Sequence, residues 1–306
     1  MHMAEPLQFA PEALRGVLTE HEPMAKHVTW RAGGPARRAY VPADREDLLR
    51  FLATIPTDEP VLFVGLGSNL LVRDGGFPGT VVLMHHTRGD LRMDCELVYA
   101  DAGMASPKVA RFAAIHGYEG AEFLAGVPGT VGGALAMNAG CYGAETWNHV
   151  ERVETTDRSG TIRVRTPADY AIGYRTCVHR AAAAEEWFLG AWFRFAPGDA
   201  ARARARITEL LEKRVATQPL NRPNAGSVFR NPPGDHAARL VEACGLKRFA
   251  IGGARISEKH ANFIVNPGRD ATAADIEALI AKAQAEVLAR FGVELHPEVR
   301  IVGERA

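Results

Sequence analysis

The chain has 306 residues, with 36 Lys and Arg against 36 Asp and Glu and a hydrophobic content of 47%. Balanced charge excludes a global field that would gather nucleic acid or an anionic membrane surface, and the length predicts more than one core. No apolar run reaches a membrane span, no basic start leads into an apolar stretch, and Cys95, Cys141, Cys177 and Cys244 form no CxxC pair. A cytoplasmic, reduced protein is expected, without a zinc ribbon or disulfide scaffold.

Residues 11–20 read as a short amphipathic helix, and Thr29-Trp30-Arg31-Ala32-Gly33-Gly34-Pro35-Ala36 as a turn with a basic residue beside paired glycines. Helical periodicity covers 43–52, and the continuous apolar run Val61-Leu62-Phe63-Val64 predicts a buried strand. That strand empties into Gly65-Leu66-Gly67-Ser68-Asn69-Leu70. A GxG after a strand suggests a dinucleotide finger, but Leu70 fills the sixth position and 74–79 reads as another turn instead of a crossover helix. A phosphate-cradling loop of another kind stays open, with Ser68 and Asn69 offering side-chain hydrogen bonds. A short strand follows at 81–84, then a helix at 106–116 with Val109, Phe112, Ala113 and His116 on one face, stopped by Gly117.

The rest of the chain is organised around residues 122–143, where glycine occurs at 126, 129, 132, 133, 140 and 143 and charge is nearly absent. Such density needs a backbone reason: positive φ or close approach of a ligand. Val127-Pro128-Gly129-Thr130 predicts a tight turn, and 131–136 is small enough for a flat or phosphorylated ligand to lie on the main chain. A glycine-rich packing turn is the alternative. Beyond it, 150–164 is hairpin-like with its turn at 157–160, and Gly173-Tyr174-Arg175 stands before a strand. An apolar strand follows at 187–195, then an arginine-rich helical linker at 200–218. Thr272 to Asp275 resembles a capping box. It opens a helix with Ile276, Leu279, Ile280, Ala283, Val287 and Phe291 on one face, ended by Gly292.

Several chemistries lack their residues. The eleven histidines form no HExxH or spaced Cys/His cluster, and His85-His86 read as ordinary surface or turn residues. Ala225-Gly226-Ser227-Val228-Phe229 fails the GxSxG elbow at two fixed positions. Arg202, Arg204 and Arg206 read as a solvated helix face, since aromatic interleaving is missing.

The glycine loops at 65–70 and 126–133, Gly173-Tyr174-Arg175, Asn224-Ala-Gly-Ser-Val-Phe-Arg-Asn-Pro232 and Leu295-His-Pro-Glu-Val-Arg-Ile-Val-Gly-Glu304 occur in that order. In order and content, over 24–304, they closely resemble the UDP-N-acetylenolpyruvoylglucosamine reductase family, in its shorter type. The resemblance implies an α+β protein: a two-subdomain FAD-binding fold of the vanillyl-alcohol-oxidase type at 1–84 and 85–199, and an α+β substrate domain at 200–306 whose last strand, 298–304, returns to the active site. It implies non-covalent FAD, NADPH as co-substrate and a nucleotide-sugar substrate, in a monomer without nucleic-acid or membrane partners. Cofactor positions would be Val64, Gly65, Gly67, Ser68, Asn69, Leu70, Ala125, Gly126, Pro128, Gly129, Gly132, Gly133, Asn138 and Gly140. Arg175, Ser227 and Glu298 match the catalytic positions. Tyr174, Asn231, His260 and Arg300 match or approach substrate-contacting ones; at His260 other members can carry Gln, and Lys259 adjoins it.

The chemistry so implied begins with reduction of FAD by NADPH. Hydride from flavin N5 then adds to C3 of the enolpyruvyl ether, leaving carbanion character at C2 that spreads into the adjacent carboxylate. Arg175 would neutralise that charge with a planar guanidinium. Glu298 would help only as a protonated carboxyl, its pKa raised by burial and nearby negative charge. Ser227 would donate the proton to C2. Taken singly, each of the three has a bland reading: a strand-edge ion-pair partner, a turn hydroxyl, a surface carboxylate. Their joint occurrence in matching contexts reverses that. Two other readings are weighed: a different flavin oxidoreductase sharing only the cofactor domain, and a non-redox nucleotide-binding protein.

Overall fold

The computed structural model describes residues 14–86, 89–181 and 185–306. The chain forms two compact units and passes between them repeatedly. The first holds the described residues through Thr19, then Ala39–Gly65 and Val81–Leu211; the second holds Glu20–Arg38, Leu66–Thr80 and Glu212–Ala306. The arginine-rich helix spans Ala200–Thr217, and the last passage between units falls inside it.

The first unit is built on a five-stranded antiparallel sheet in the order Ile162–Arg165, Val150–Thr156, Trp187–Phe193, Leu97–Asp101, Leu91–Asp94. Alternation sorts its two faces. Val98, Ala100, Val153, Ala191 and Phe193 pack on one face with the helices Ser106–Ile115 and Val131–Ala136. Tyr99 and Trp192 lie on the other, under the guanidinium groups of Arg92 and Arg152 at 4.1 and 4.3 Å from the ring centres. Gly190 is required there, because a Cβ would come within 2.5 Å of the Tyr99 hydroxyl. A smaller core gathers Tyr40, Leu48, Phe51, Leu52 and Val82 beside the helix Arg45–Leu52, which Asp44 caps by accepting from the Asp47 N–H at 3.0 Å.

The second unit packs Trp30, Leu71, Val228, Phe229 and Leu240 against one face of the long helix Ala273–Phe291. Ile276, Leu279, Ile280, Ala283 and Val287 are buried, whereas Phe291, the last residue of the helix, stays 36% exposed. The helix entry is fully furnished. Thr272 and Asp275 form a reciprocal capping box, and Asp74 accepts from the Ala273 and Ala274 N–H groups, each at 2.8 Å. Gly292 closes the helix in the left-handed conformation at φ 65. Asp74→Ala removes two charge-assisted hydrogen bonds at the positive end of this helix, so it is expected to cost about 1–2 kcal/mol. Chemical denaturation checks this, and an unchanged midpoint would refute the cap's contribution.

Three local expectations change, and one segment with no expected element proves helical. Residues 17–20, assigned above to a helix, belong to the strand Val17–Pro23 at the edge of a four-stranded sheet; the earlier part of that expected helix lies outside the described residues. Val17 and Thr19 are β-branched, and a nearly all-exposed edge strand carries no pattern that separates it from a surface helix. The turn expected at 74–79 shrinks to Asp74–Gly75, because Phe77–Leu83 is already a strand. The segment 131–136 is a helix despite two glycines, since tertiary packing overrides propensity. In the helix Ser106–Ile115 the buried face is Val109, Ala110, Ala113 and Ala114, and His116 is exposed. Among the described residues no helix is long and apolar enough to cross a membrane.

Candidate active site

In the first unit the strand Val61–Val64 ends at Gly65, which lies against the second glycine stretch. A Cβ at Gly65 would meet the Thr130 hydroxyl oxygen at 2.3 Å, so the two loops form one seam that only a glycine permits. Val64 and Ala125 are buried, Pro128 is exposed, and Gly129 adopts φ 150. The glycines divide by purpose. A Cβ at Gly126 would strike the Tyr142 ring at 2.7 Å, and one at Gly132 would press Ala102 at 3.0 Å, so these two serve protein packing. Gly133 is roomier, its nearest neighbour being the Thr130 hydroxyl at 3.8 Å. The Val131 and Gly132 N–H groups donate to the carbonyls of Met104 and Ala102, each at 2.8 Å, fixing the short helix on the sheet.

Arg175 sits in the two-residue turn joining the strands Tyr170–Gly173 and Thr176–His179. Its backbone is left-handed at φ 56, where Gly or Asn is the ordinary choice. Holding an arginine there costs on the order of 1 kcal/mol. The guanidinium donates to the Gly140 carbonyl at 2.8 Å and lies 5.1 Å from the centre of the exposed Tyr174 ring. Asn138 braces the same turn. It is 1% exposed, donates to the Gly173 carbonyl at 3.0 Å and to Glu145 at 2.9 Å, and accepts from the Trp147 N–H at 3.1 Å. Burial pushes the neighbouring Cys177 thiol up to about 12, so it is no nucleophile at neutral pH.

The second unit brings three distant segments side by side. Gly67, at φ 60, makes the turn, because a Cβ would fall 2.1 Å from the His27 carbonyl oxygen. Ser68 and Asn69 follow, and Leu70 opens the strand Leu70–Val72, which pairs in parallel with Arg300–Val302. The Asn69 amide donates to the Glu298 carbonyl at 3.2 Å, and the Glu298 N–H donates to the Val228 carbonyl at 2.7 Å. Ser227 and Glu298 therefore stand on adjoining backbones beside the loop that begins at Gly67. Gly226, at φ 76, donates its N–H to the Asn224 side chain at 2.9 Å and sets the Ser227 approach. The Ser227 side chain is half-buried, and its hydroxyl has no hydrogen-bond partner among the described residues.

Of the remaining positions, Asn231 is exposed and accepts from the Ala237 N–H at 3.1 Å, and Arg300 is exposed on its strand. His260 is half-buried against Phe263, with ring centres 4.8 Å apart. Burial, helped by Lys247, holds its pKa below the ordinary imidazole value, so the ring is neutral at pH 7. Its Nδ1 accepts from the Asn262 N–H at 3.3 Å, which leaves Nε2 as a neutral donor, a role that an amide can also fill. Lys259 instead donates to the Val215 carbonyl at 2.5 Å. A cavity of about 670 Å³ on this unit is lined by Gln218, Arg222, Arg248, Arg255, Ser257 and Lys259, among others. Among the described residues no group of three His, Cys, Asp or Glu side chains could hold a metal ion.

The expected site residues divide between the two units. Ser227, Glu298, Asn69 and His260 belong to the second unit, and Arg175, Asn138, Gly140 and the 126–133 stretch to the first. Sequence reasoning missed Asn262, although a polar residue inside the apolar run Ala261 to Val265 is a legible signal.

Comparison with known proteins gives a concordant result. The sequence model described as the FAD binding domain matches residues 36–165, and that of the UDP-N-acetylenolpyruvoylglucosamine reductase C-terminal domain matches 218–302. The UDP-N-acetylenolpyruvoylglucosamine reductase of Thiobacillus denitrificans is 57% identical, covering 95% of this chain and 94% of its own. That of Nitrosomonas eutropha is 56% identical over 95% and 90%. The crystal structure of the Thermus caldophilus reductase superposes with a TM-score of 0.77 at 32% identity, covering 94% of this chain and 98% of its own.

Proposed function

The chain belongs to the UDP-N-acetylenolpyruvoylglucosamine reductase family of FAD-binding α+β oxidoreductases, and on that footing we propose how its own residues carry the reaction. The substrate is UDP-N-acetylglucosamine enolpyruvate, the product UDP-N-acetylmuramate for peptidoglycan, and the reductant NADPH. FAD, held non-covalently, supplies the two-electron chemistry that links the two substrates. The residues present fit such a group at Gly133, where the nearest neighbour of an added Cβ would be the Thr130 hydroxyl at 3.8 Å, beside the close-packed Gly65–Thr130 seam. Backbone N–H groups of 65–70 and 126–133 would hold its pyrophosphate without lysine, other than those of Val127, Val131 and Gly132, which donate to the carbonyls of Leu124, Met104 and Ala102.

Reduction at C3 of the enolpyruvyl group leaves negative charge at C2 and on its carboxylate. Arg175 meets that charge with a planar, permanently protonated fork, already oriented by the Gly140 carbonyl. Ser227 delivers a proton from Oγ to C2. A hydroxyl is a weak acid, but a carbanion is a far stronger base, so alignment decides the step. Glu298, half-buried, would act on the developing enolate only as a protonated carboxyl that shares its proton. Tyr174, Asn231, His260 and Arg300 orient the nucleotide sugar, and the cations at 222, 248, 255 and 259 suit its phosphates. The observation that carries this reading is the juxtaposition of Ser227 and Glu298 through the Val228–Glu298 hydrogen bond, with Asn69 fastened to the same Glu298.

A flavin oxidoreductase of another specificity would share the cofactor domain but leaves the family match over 218–302 without a cause. The test is direct. Purified protein should be yellow, release one FAD on denaturation, and under anaerobic conditions consume NADPH beyond one equivalent per flavin only when the enolpyruvyl nucleotide is present. Colourless protein that takes up no FAD would defeat the proposal.

A further inference from the structure

We propose that Asn262 is a positioning residue: through it, the segment carrying Ser227 and the ring of His260 are held in one arrangement next to Glu298. The proposal rests on the reductase reading for what Ser227 does, but the clamp itself stands on geometry. Asn262 is 4% exposed. Its side-chain oxygen accepts from the Phe229 N–H at 2.9 Å, and its side-chain nitrogen donates to the Phe229 carbonyl at 2.8 Å. One amide thus engages both polar groups of a single residue, as a neighbouring strand would. Its own carbonyl accepts from the Val228 N–H at 2.9 Å, and its own N–H reaches His260 Nδ1 at 3.3 Å.

All four polar groups of Asn262 are therefore engaged on 228–229 and His260. The Val228 carbonyl, left over by this pairing, accepts the Glu298 N–H at 2.7 Å, so Asn262 fixes one side of the segment and Glu298 the other. Ser227 is the residue immediately before, next to Gly226 at φ 76, whose N–H donates to the Asn224 side chain at 2.9 Å. Truncating the Asn262 side chain leaves the buried Phe229 N–H and carbonyl without partners. The segment must then shift, and a displacement of about 1 Å at a reacting group costs on the order of 100-fold in rate.

The experiment uses the full flavin-loaded chain and Asn262→Ala, with two readouts. The first is amide hydrogen exchange, which does not depend on the reaction. The Phe229 and Glu298 amides are expected to exchange on the order of 100-fold faster, while those of the helix Ala273–Phe291 keep their rates. The second is the pair of half-reactions. Flavin reduction by NADPH should stay within about twofold of the unaltered protein, whereas reoxidation by the enolpyruvyl nucleotide should fall on the order of 10- to 100-fold. Unchanged exchange at Phe229, or both half-reactions falling together, would overturn the proposal. Should Asn262→Ala not fold, exchange in the unaltered protein decides: Phe229 must be as protected as the helix 273–291, and rapid exchange there overturns the clamp. Unaltered protein that the nucleotide sugar does not reoxidise defeats the reductase reading, while the exchange result still decides the clamp.

Discussion

Ser227→Ala is expected to leave reduction by NADPH nearly intact and to slow reoxidation by the enolpyruvyl nucleotide by about 10²- to 10⁴-fold, the range that a positioned proton donor contributes. The split follows from where the residue stands. Its hydroxyl makes no hydrogen bond among the described residues, so removing it leaves no protein group unsatisfied. The local backbone is held by others: Asn224 on Gly226, and Glu298 on Val228. Stability should change by less than about 0.5 kcal/mol, as for a surface substitution. Rapid-mixing measurement of the two half-reactions separates the outcomes. An equal fall in both would remove Ser227 as proton donor, and near-normal reoxidation would assign the proton to another group.

Arg175→Lys carries the second large effect. Lysine keeps the charge but loses the planar fork that matches a carboxylate, so reoxidation should fall by about 10²- to 10³-fold while NADPH-dependent reduction persists. Position 175 offers an unusual control, because its φ of 56 strains any residue with a side chain. Arg175→Gly should abolish the same half-reaction without lowering the unfolding free energy, since glycine relieves the left-handed backbone. A glycine variant that is both active and more stable would leave the strained arginine without a catalytic purpose. Denaturant melts run beside the kinetics read both quantities from one preparation.

Much of the local structure is legible in the chain, for identifiable reasons. The helix Ala273–Phe291 announces itself by its capping box, its apolar face and its closing glycine, each of which acts within a few residues. The hairpin turn at 157–160 is equally local, with the Gly160 N–H bonded to the Asp157 carbonyl at 3.1 Å. What stays hidden is whatever depends on pairing between distant segments. Nothing near Ser227 says that Val228 will accept from Glu298, or that Asn69 will reach the Glu298 carbonyl; those contacts exist only once Trp30, Leu71, Val228 and the long helix share a core. The Asp74 cap on Ala273 and Ala274 is hidden in the same way.

The glycine-rich stretch shows the limit most clearly. Its composition points to a ligand cradle, with a packing turn as the alternative, and packing accounts for several of its residues. Gly126 and Gly132 are small because Tyr142 and Ala102 press on them, as Thr130 presses on Gly65, whereas Gly133 leaves space. Composition reports that side chains are excluded, not by what. Asn138 is a parallel case: its amide is committed to Gly173, Glu145 and Trp147, which ties it to the Arg175 turn.

One anaerobic single-turnover experiment bears on the whole account: protein reduced by a single equivalent of NADPH, freed of NADP⁺, then mixed with UDP-N-acetylglucosamine enolpyruvate. The yellow colour should return in a single phase, with one UDP-N-acetylmuramate formed per flavin. Protein that stays bleached in the presence of the nucleotide, or regains its colour without making that product, would contradict it.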